Sequence, residues 1–198
     1  MSLDLIHDIQ SAYRKLIDSL SRPGTVSDLS AEAGKLGMDQ GCLPSTQVLA
    51  AMLLDPEVSF TVFSERKAQV THVFKQMSYA REVDASEADF IFVLGDAPSE
   101  DLTRALEIAK IGDLQDPHFS ATLIIETESL SNGTKLRLSG PGIQSSSNAK
   151  VTINDAWLDI RAARNCEYPL GLDIIFVDAA HRLLALPRTT QVLVEEVS

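Results

Sequence analysis

The segment Leu186-Pro187-Arg188-Thr189-Thr190 sets a guanidinium and two hydroxyls directly after a proline that ends an apolar run. Arginine offers a planar fork of donors and threonine a further O–H, a set suited to a phosphate, a carboxylate or an acidic partner. Strand ends of α/β sheets are where ligands tend to bind, so Arg188, Thr189 and Thr190 form the first candidate site. The plainer account is a salt-bridged strand end. A second cation stands in Ser21-Arg22-Pro23-Gly24, where a turn follows a helix and holds Arg22 at its end. Stabilisation of a helix C-terminus by a positive charge explains Arg22 equally well. The third candidate is Gly140-Pro141-Gly142, whose backbone N–H groups could approach a phosphate, although no dinucleotide or P-loop fingerprint surrounds it.

Other chemistries find little support. His7, His72, His118 and His181 are scattered, and Cys42 and Cys166 have no ligand partner at motif spacing, so no metal site is expected. No Gly-x-Ser-x-Gly elbow is present. Cys166 has Glu167 beside it, which disfavours a thiolate, and it reads as a buried or inert thiol. Acids such as Asp84, Glu87 and Asp89, or Glu100 and Asp101, fall near turns and helix starts, where they complement helix dipoles.

These residues must be positioned by a chain of 198 residues with 17 basic and 28 acidic side chains, a net charge of −11. Such a balance argues against nucleic acid or anionic lipid as a partner. No apolar run approaches the roughly 20 residues of a membrane span. The opening Met1-Ser2-Leu3-Asp4-Leu5 has an early acid and no basic stretch, so no signal peptide is expected and a reducing cytoplasm is the simplest home. With no repeat and no long linker, residues 1–198 are expected to form one domain. Gln144-Ser145-Ser146-Ser147-Asn148 reads as a surface loop within it.

Ile6, Ile9, Tyr13, Leu16, Ile17 and Leu20 recur at helical spacing, and Pro23-Gly24 stops that helix. A buried helix is predicted over Ser45 to Leu54, with Ser45 or Thr46 as its cap. Val58 to Phe63 then reads as a strand, Glu65 to Tyr79 as a helix, Ala88 to Leu94 as a strand, and Ser99 as the cap of a helix running to Ile108. This alternation predicts parallel strands. Beyond it, Ala121 to Glu126 and Thr134 to Ser139 flank Asn132-Gly133, the dipeptide of a tight antiparallel hairpin. A helix over Asn154 to Arg164, carrying Trp157, Ile160 and Ala163 or Arg164 on one side, precedes a strand pair at Leu172 to Val177 and Arg182 to Leu186. Gln191 to Glu195 adds an edge strand, and the sheet is mixed.

Several of these segments occur together in one family. Arg14-Lys15-Leu16 with Ser19-Leu20-Ser21-Arg22-Pro23-Gly24, Ala121-Thr122-Leu123-Ile124-Ile125, Leu136-Arg137-Leu138-Ser139-Gly140-Pro141-Gly142-Ile143, Tyr168-Pro169-Leu170-Gly171-Leu172-Asp173 and Leu184-Ala185-Leu186-Pro187-Arg188-Thr189-Thr190 stand in the order of that family. The chain resembles the PhnH family, a subunit of the bacterial carbon–phosphorus lyase system. The resemblance implies a three-layer α/β/α sandwich with a mixed sheet, similar to the large domain of pyridoxal-phosphate-dependent transferases but without that cofactor. It also implies an accessory role in organophosphonate catabolism. There the core complex with PhnG, PhnI and PhnJ forms ribose 1-phosphonate 5-triphosphate from a nucleoside triphosphate and a phosphonate. The chain is then expected to be a homodimer in isolation, to use no cofactor of its own, and to lack independent catalysis. Two cysteines are too few for the iron–sulfur cluster of the later radical step, which belongs to another subunit.

Arg188, Thr189, Thr190, Asp173, Gly171, Arg22, Gly140 and Gly142 are the residues expected to meet a partner or a phosphorylated small molecule. Family members often carry Phe where Tyr168 stands and vary at Arg22, which makes Arg188 the better candidate. The rival from another class is a stand-alone enzyme or binding protein for a nucleotide or sugar phosphate. A working pyridoxal-phosphate enzyme is a third alternative, for which none of Lys15, Lys67, Lys75, Lys110, Lys135 and Lys150 stands out.

Overall fold

The structure is a computed structural model describing residues 7–36, 40–153 and 156–195. The expected starts of the first helix at Ile6 and the last at Asn154, and the opening residues 1–5, lie outside the described residues. Five strands run parallel: β2 (Ser59–Phe63), β3 (Arg81–Glu82), β4 (Phe90–Val93), β5 (Thr122–Thr127) and β8 (Asp173–Asp178). β9 (Arg182–Leu186) pairs antiparallel with β8, and β1 (Val26–Asp28) antiparallel with β9. They form one seven-stranded mixed sheet in the order β1-β9-β8-β5-β4-β2-β3.

Alternation along the strands divides the core between the two faces of this sheet. Phe92, Ile124, Ile175 and Leu183 point to one side, where they meet α1 (His7–Ser21), α3 (Pro44–Leu53) and α4 (Lys67–Ser78). Ile91, Leu123, Phe176 and Leu184 point to the other, against α5 (Ser99–Ile108) and α6 (Ala156–Arg164). The short α2 (Ser30–Ala33) lies beside α1 and α3. The chain is therefore α/β with helices on both faces of a mixed sheet. No helix among the described residues is long and apolar enough to cross a membrane.

Three local expectations change. The first is the hairpin: β5 lies between β4 and β8, parallel to both, and makes no antiparallel pair with the segment that follows. Leu123, Ile124 and Ile125 are all buried, so this strand needs sheet neighbours with both faces covered. The segment after it, β6 (Ser129–Ser139), crosses into a second sheet of order β10-β6-β7, with β10 (Gln191–Val194) and β7 (Ser147–Thr152) on its flanks. Gly133, at φ +98°, serves an irregularity inside β6, where the register with β7 shifts between Ser129 and Thr134.

The second change concerns the serine-rich segment, whose last two residues already belong to β7. The third concerns caps. Pro98 precedes α5 with Ser99 as its first helical residue, and Leu43 precedes α3 with Pro44 first. Instead Glu126, from the end of β5, accepts the Leu43 N–H at 2.7 Å and the Thr46 hydroxyl at 2.6 Å, so a distant carboxylate caps α3.

At the start of β4, Asp89 accepts hydrogen bonds from the Ser59 N–H and hydroxyl and pairs with Lys110. Burial raises its pKa, but the bonds from Lys110 and Ser59 outweigh that and hold the carboxyl below its ordinary value. A lowered folded-state pKa contributes stability above the ordinary carboxylate value, and the contribution is lost as pH falls through the folded one. We therefore expect Asp89→Asn to flatten part of the fall in melting temperature between about pH 5 and pH 3. An unchanged slope would refute this.

Candidate functional site

Pro187 ends β9 and starts a turn closed by the Thr190 N–H, which donates to the Pro187 carbonyl at 2.9 Å. Arg188, in that turn, meets Asp173 at the start of β8. The Arg188 N–H donates to Asp173 Oδ1 at 2.7 Å, Nε donates to the same oxygen at 3.3 Å, and Nη2 pairs with Oδ2. Nη1 donates to the Pro117 carbonyl at 2.8 Å. Both side chains are about four-fifths buried. The guanidinium is thus spent on the protein itself, tying the 187–190 turn to β8 and to the 3-10 turn at Pro117–Phe119.

Gly171 shows why glycine is needed in this corner. At φ +139° a methyl group there would lie 2.7 Å from Asn165 Oδ1. Asn165 occupies that space as a bracket: its Oδ1 accepts the Leu172 N–H at 2.8 Å, while Nδ2 donates to the carbonyls of Leu172 at 3.2 Å and Arg188 at 3.3 Å. Gly140 reaches the same corner, since a methyl group on it would sit 2.8 Å from the Thr189 carbonyl oxygen.

The remaining two candidates lie elsewhere. Gly142, at φ +82°, packs against the end of α1, where a methyl group would stand 2.2 Å from the Ser21 carbonyl oxygen. Arg22 pairs one turn back along α1 with Asp18, and both side chains are exposed. Such a pair is worth well under about 1 kcal/mol. The structure therefore brings together Arg188, Thr189, Thr190, Asp173, Gly171 and Gly140, and leaves Gly142 and Arg22 apart.

The 187–190 turn directly follows the end of β9, the strand end that the sequence suggests. Asp173 pairs in register with Thr122, the first residue of β5, so the corner lies at the N-terminal ends of the parallel strands. The opposite crevice, beyond their C-terminal ends, holds about 340 Å³ between Gly95, Pro98 and Glu126. There Glu126 also accepts the Gly95 N–H at 3.0 Å, so its carboxylate is engaged by three protein donors.

Beside the 187–190 turn, a cleft of about 620 Å³ opens between α6 and β10. Its base carries a residue that no sequence motif singles out. Arg161 is only 3% exposed; Nη1 donates to the Thr190 carbonyl at 3.1 Å and Nη2 to the Pro187 carbonyl at 2.8 Å. Burial pushes its pKa down to about 10, with Asp173 opposing the shift. The available signal was spacing, because Arg161 follows the buried Trp157 by four residues and shares its face of α6. Cys166 lines the same cleft and is exposed, so the expectation of a buried thiol does not hold; Cys42 is the buried cysteine. Among the described residues no cluster of three or more His, Cys, Asp or Glu could hold a metal ion.

Comparison with known proteins gives a consistent result along the chain. Residues 3–193 match the family model described as bacterial phosphonate metabolism protein (PhnH). A protein of Stutzerimonas stutzeri described as a putative C-P lyase subunit, HtxG, is 32% identical over 187 residues, covering 92% of this chain and 85% of that one. The alpha-D-ribose 1-methylphosphonate 5-triphosphate synthase subunit PhnH of Rhizobium meliloti (strain 1021) is 29% identical over 194 residues, covering 95% and 92% respectively.

Proposed function

This chain belongs to the PhnH family of bacterial phosphonate-metabolism proteins, and from that premise we propose that it is an accessory subunit of a carbon–phosphorus lyase core complex. In this role it supports formation of ribose 1-phosphonate 5-triphosphate from a nucleoside triphosphate and a phosphonate, without turning over substrate alone. The observation that carries the proposal is the extent of the likeness: the family model spans residues 3–193, and the two subunit relatives align over more than nine-tenths of the chain.

The companion subunits PhnG, PhnI and PhnJ are its partners, the cytoplasm is its compartment, and residues 1–198 act as one folding unit that is homodimeric when isolated. The seven-stranded mixed sheet, with helices on both faces and β9 antiparallel to its neighbours, supports a likeness to the large domain of pyridoxal-phosphate-dependent transferases. In this reading the chain uses that fold without a cofactor of its own; of the lysines, Lys135 and Lys150 line a hollow beside β6 and β7, and Lys67 and Lys75 one on α4.

The test is co-purification of the tagged chain with PhnG, PhnI and PhnJ from phosphate-starved cells, with mass determination of the eluate. A stoichiometric assembly is expected. Elution as a dimer free of those subunits, or turnover of a nucleoside triphosphate by the isolated chain, would overturn the proposal in favour of a stand-alone enzyme.

A further inference from the structure

Cations across this acidic chain find carboxylates: Lys15 meets Glu32, Lys75 meets Glu82, Lys110 meets Asp89 and Arg182 meets Asp178. The outer face of the small sheet departs from that pattern. Leu136 and Leu138 of β6 are buried, so Lys135 and Arg137, which alternate with them, lie on the solvent side. Lys150 does the same between the buried Ala149 and Val151 of β7. The register sets Lys135 directly opposite Lys150, and Arg137 opposite Asn148. Among the described residues none of these three cations makes an ion pair, and Glu195, which borders the face just beyond β10, pairs with none of them. Like charges directly opposite across a strand pair are destabilising. A chain with 28 acidic side chains and a net charge of −11 has therefore gathered three cations on one face and paired none of them.

Apolar surface adjoins these charges. Leu193, opposite Arg137 on β10, is 65% exposed. A hollow of about 410 Å³ opens between Lys135, Lys150 and Val26, which is 41% exposed.

Charge also argues which occupant fits. A two-fold contact with a second copy through this face would set the cations against themselves, and a contact with an acidic face elsewhere on the copy would be head-to-tail and would not close as a dimer. Nucleic acid or anionic lipid extends well past the three cations and meets the repulsion of the rest of the chain. A short acidic segment lies within about one Debye length of the cations, roughly 8 Å at physiological salt, and feels them first. We propose that the outer face of the β10-β6-β7 sheet docks an acidic segment of a different protein, whose carboxylates meet Lys135, Arg137 and Lys150 while an apolar side chain rests on Leu193. The inference goes beyond the subunit proposal, which names no surface, and is read on the isolated chain, so either can fail without the other.

The probe is a fluorescently labelled peptide of glutamates around one leucine, titrated with the purified full-length chain and followed by anisotropy. Its glutamine counterpart is titrated in parallel, and tripolyphosphate, single-stranded DNA and the unlabelled peptide serve as competitors. Saturable binding is expected for the glutamate peptide alone, weakening steeply between about 50 and 200 mM salt. Arg137→Glu and Lys150→Glu should each weaken it by roughly three- to thirtyfold, because an attraction becomes a repulsion. Leu193→Ser should weaken it several-fold. These three side chains are exposed, so the fold is kept; Arg104→Glu, exposed on α5 and equal in its change of net charge, should leave binding unaltered. Absence of saturable binding, equal binding of the glutamine peptide, equal weakening by Arg104→Glu, or stronger competition by tripolyphosphate or DNA than by the unlabelled peptide would overturn the proposal.

Discussion

Asp173→Ala is expected to lower stability by about 3 kcal/mol, the lower end of the cost of breaking a buried ion pair, because both partners retain some exposure. The loss is larger than one contact, since Asp173 accepts from the Arg188 main chain and side chain and is the carboxylate that offsets Arg161. Its removal leaves two cations facing backbone carbonyls. A fall of about 6–12 °C in melting temperature follows for a chain of this size. The decisive measurement is a double-mutant cycle with Arg188→Met. If an unpaired charge is the cause, the double variant recovers a substantial part of the loss and shows a clear coupling energy. Strictly additive effects would show that the pair is incidental. This also revises the expectation for Arg188: a change to Ala removes the link to Pro117 and exposes the Asp173 charge, so it alters the turn as well as any binding there.

Asp178→Ala is expected to cost about 4 kcal/mol, because a fully buried carboxylate and every group facing it lose their partner together. Asp178 ends β8 and accepts the N–H groups of Ala180 and Arg182, each at 3.0 Å, closing the turn into β9. It also accepts the Leu130 N–H at 2.9 Å from β6 and the Arg182 Nε at 2.8 Å. One side chain thus joins the large sheet to the small one. Asp178→Asn keeps an acceptor for Leu130 and should lose about half as much. Equilibrium denaturation in urea would check both values; a loss below about 1 kcal/mol for the Ala variant would rule out a structural role of this size.

The two sites differ in how far the sequence announces them. The cation and hydroxyls at Arg188, Thr189 and Thr190 stand out because proline ends a strand just before them, and Asp173 accompanies them through the family resemblance. Arg161 does not stand out. A helix read by its apolar stripe assigns Trp157 and Ile160 to the core and leaves the arginine that follows them for solvent. Only the opposing turn shows that the guanidinium is buried and bound to the carbonyls of Pro187 and Thr190. Likewise Glu126 gives no local sign that it caps a helix some 80 positions earlier in the chain.

Local chemistry alone determined the alternation of strands and helices, the stop after α1 at Pro23-Gly24, the antiparallel pair of β8 with β9, and the late edge strand. Each is set by periodicity or turn residues within a few positions. The chain order of its motifs also placed this sequence in its family, because that order is itself a property of the sequence. Tertiary structure decided what lies beside what. Asn132-Gly133 has the composition of a hairpin turn, yet β5 is buried on both faces and takes β4 and β8 as neighbours, so the dipeptide serves a bulge instead. Periodicity states which face of an element avoids water; it carries no information about which distant carbonyl or carboxylate will meet a buried charge. That choice depends on contacts made across the chain, and it formed the cleft beside Arg161.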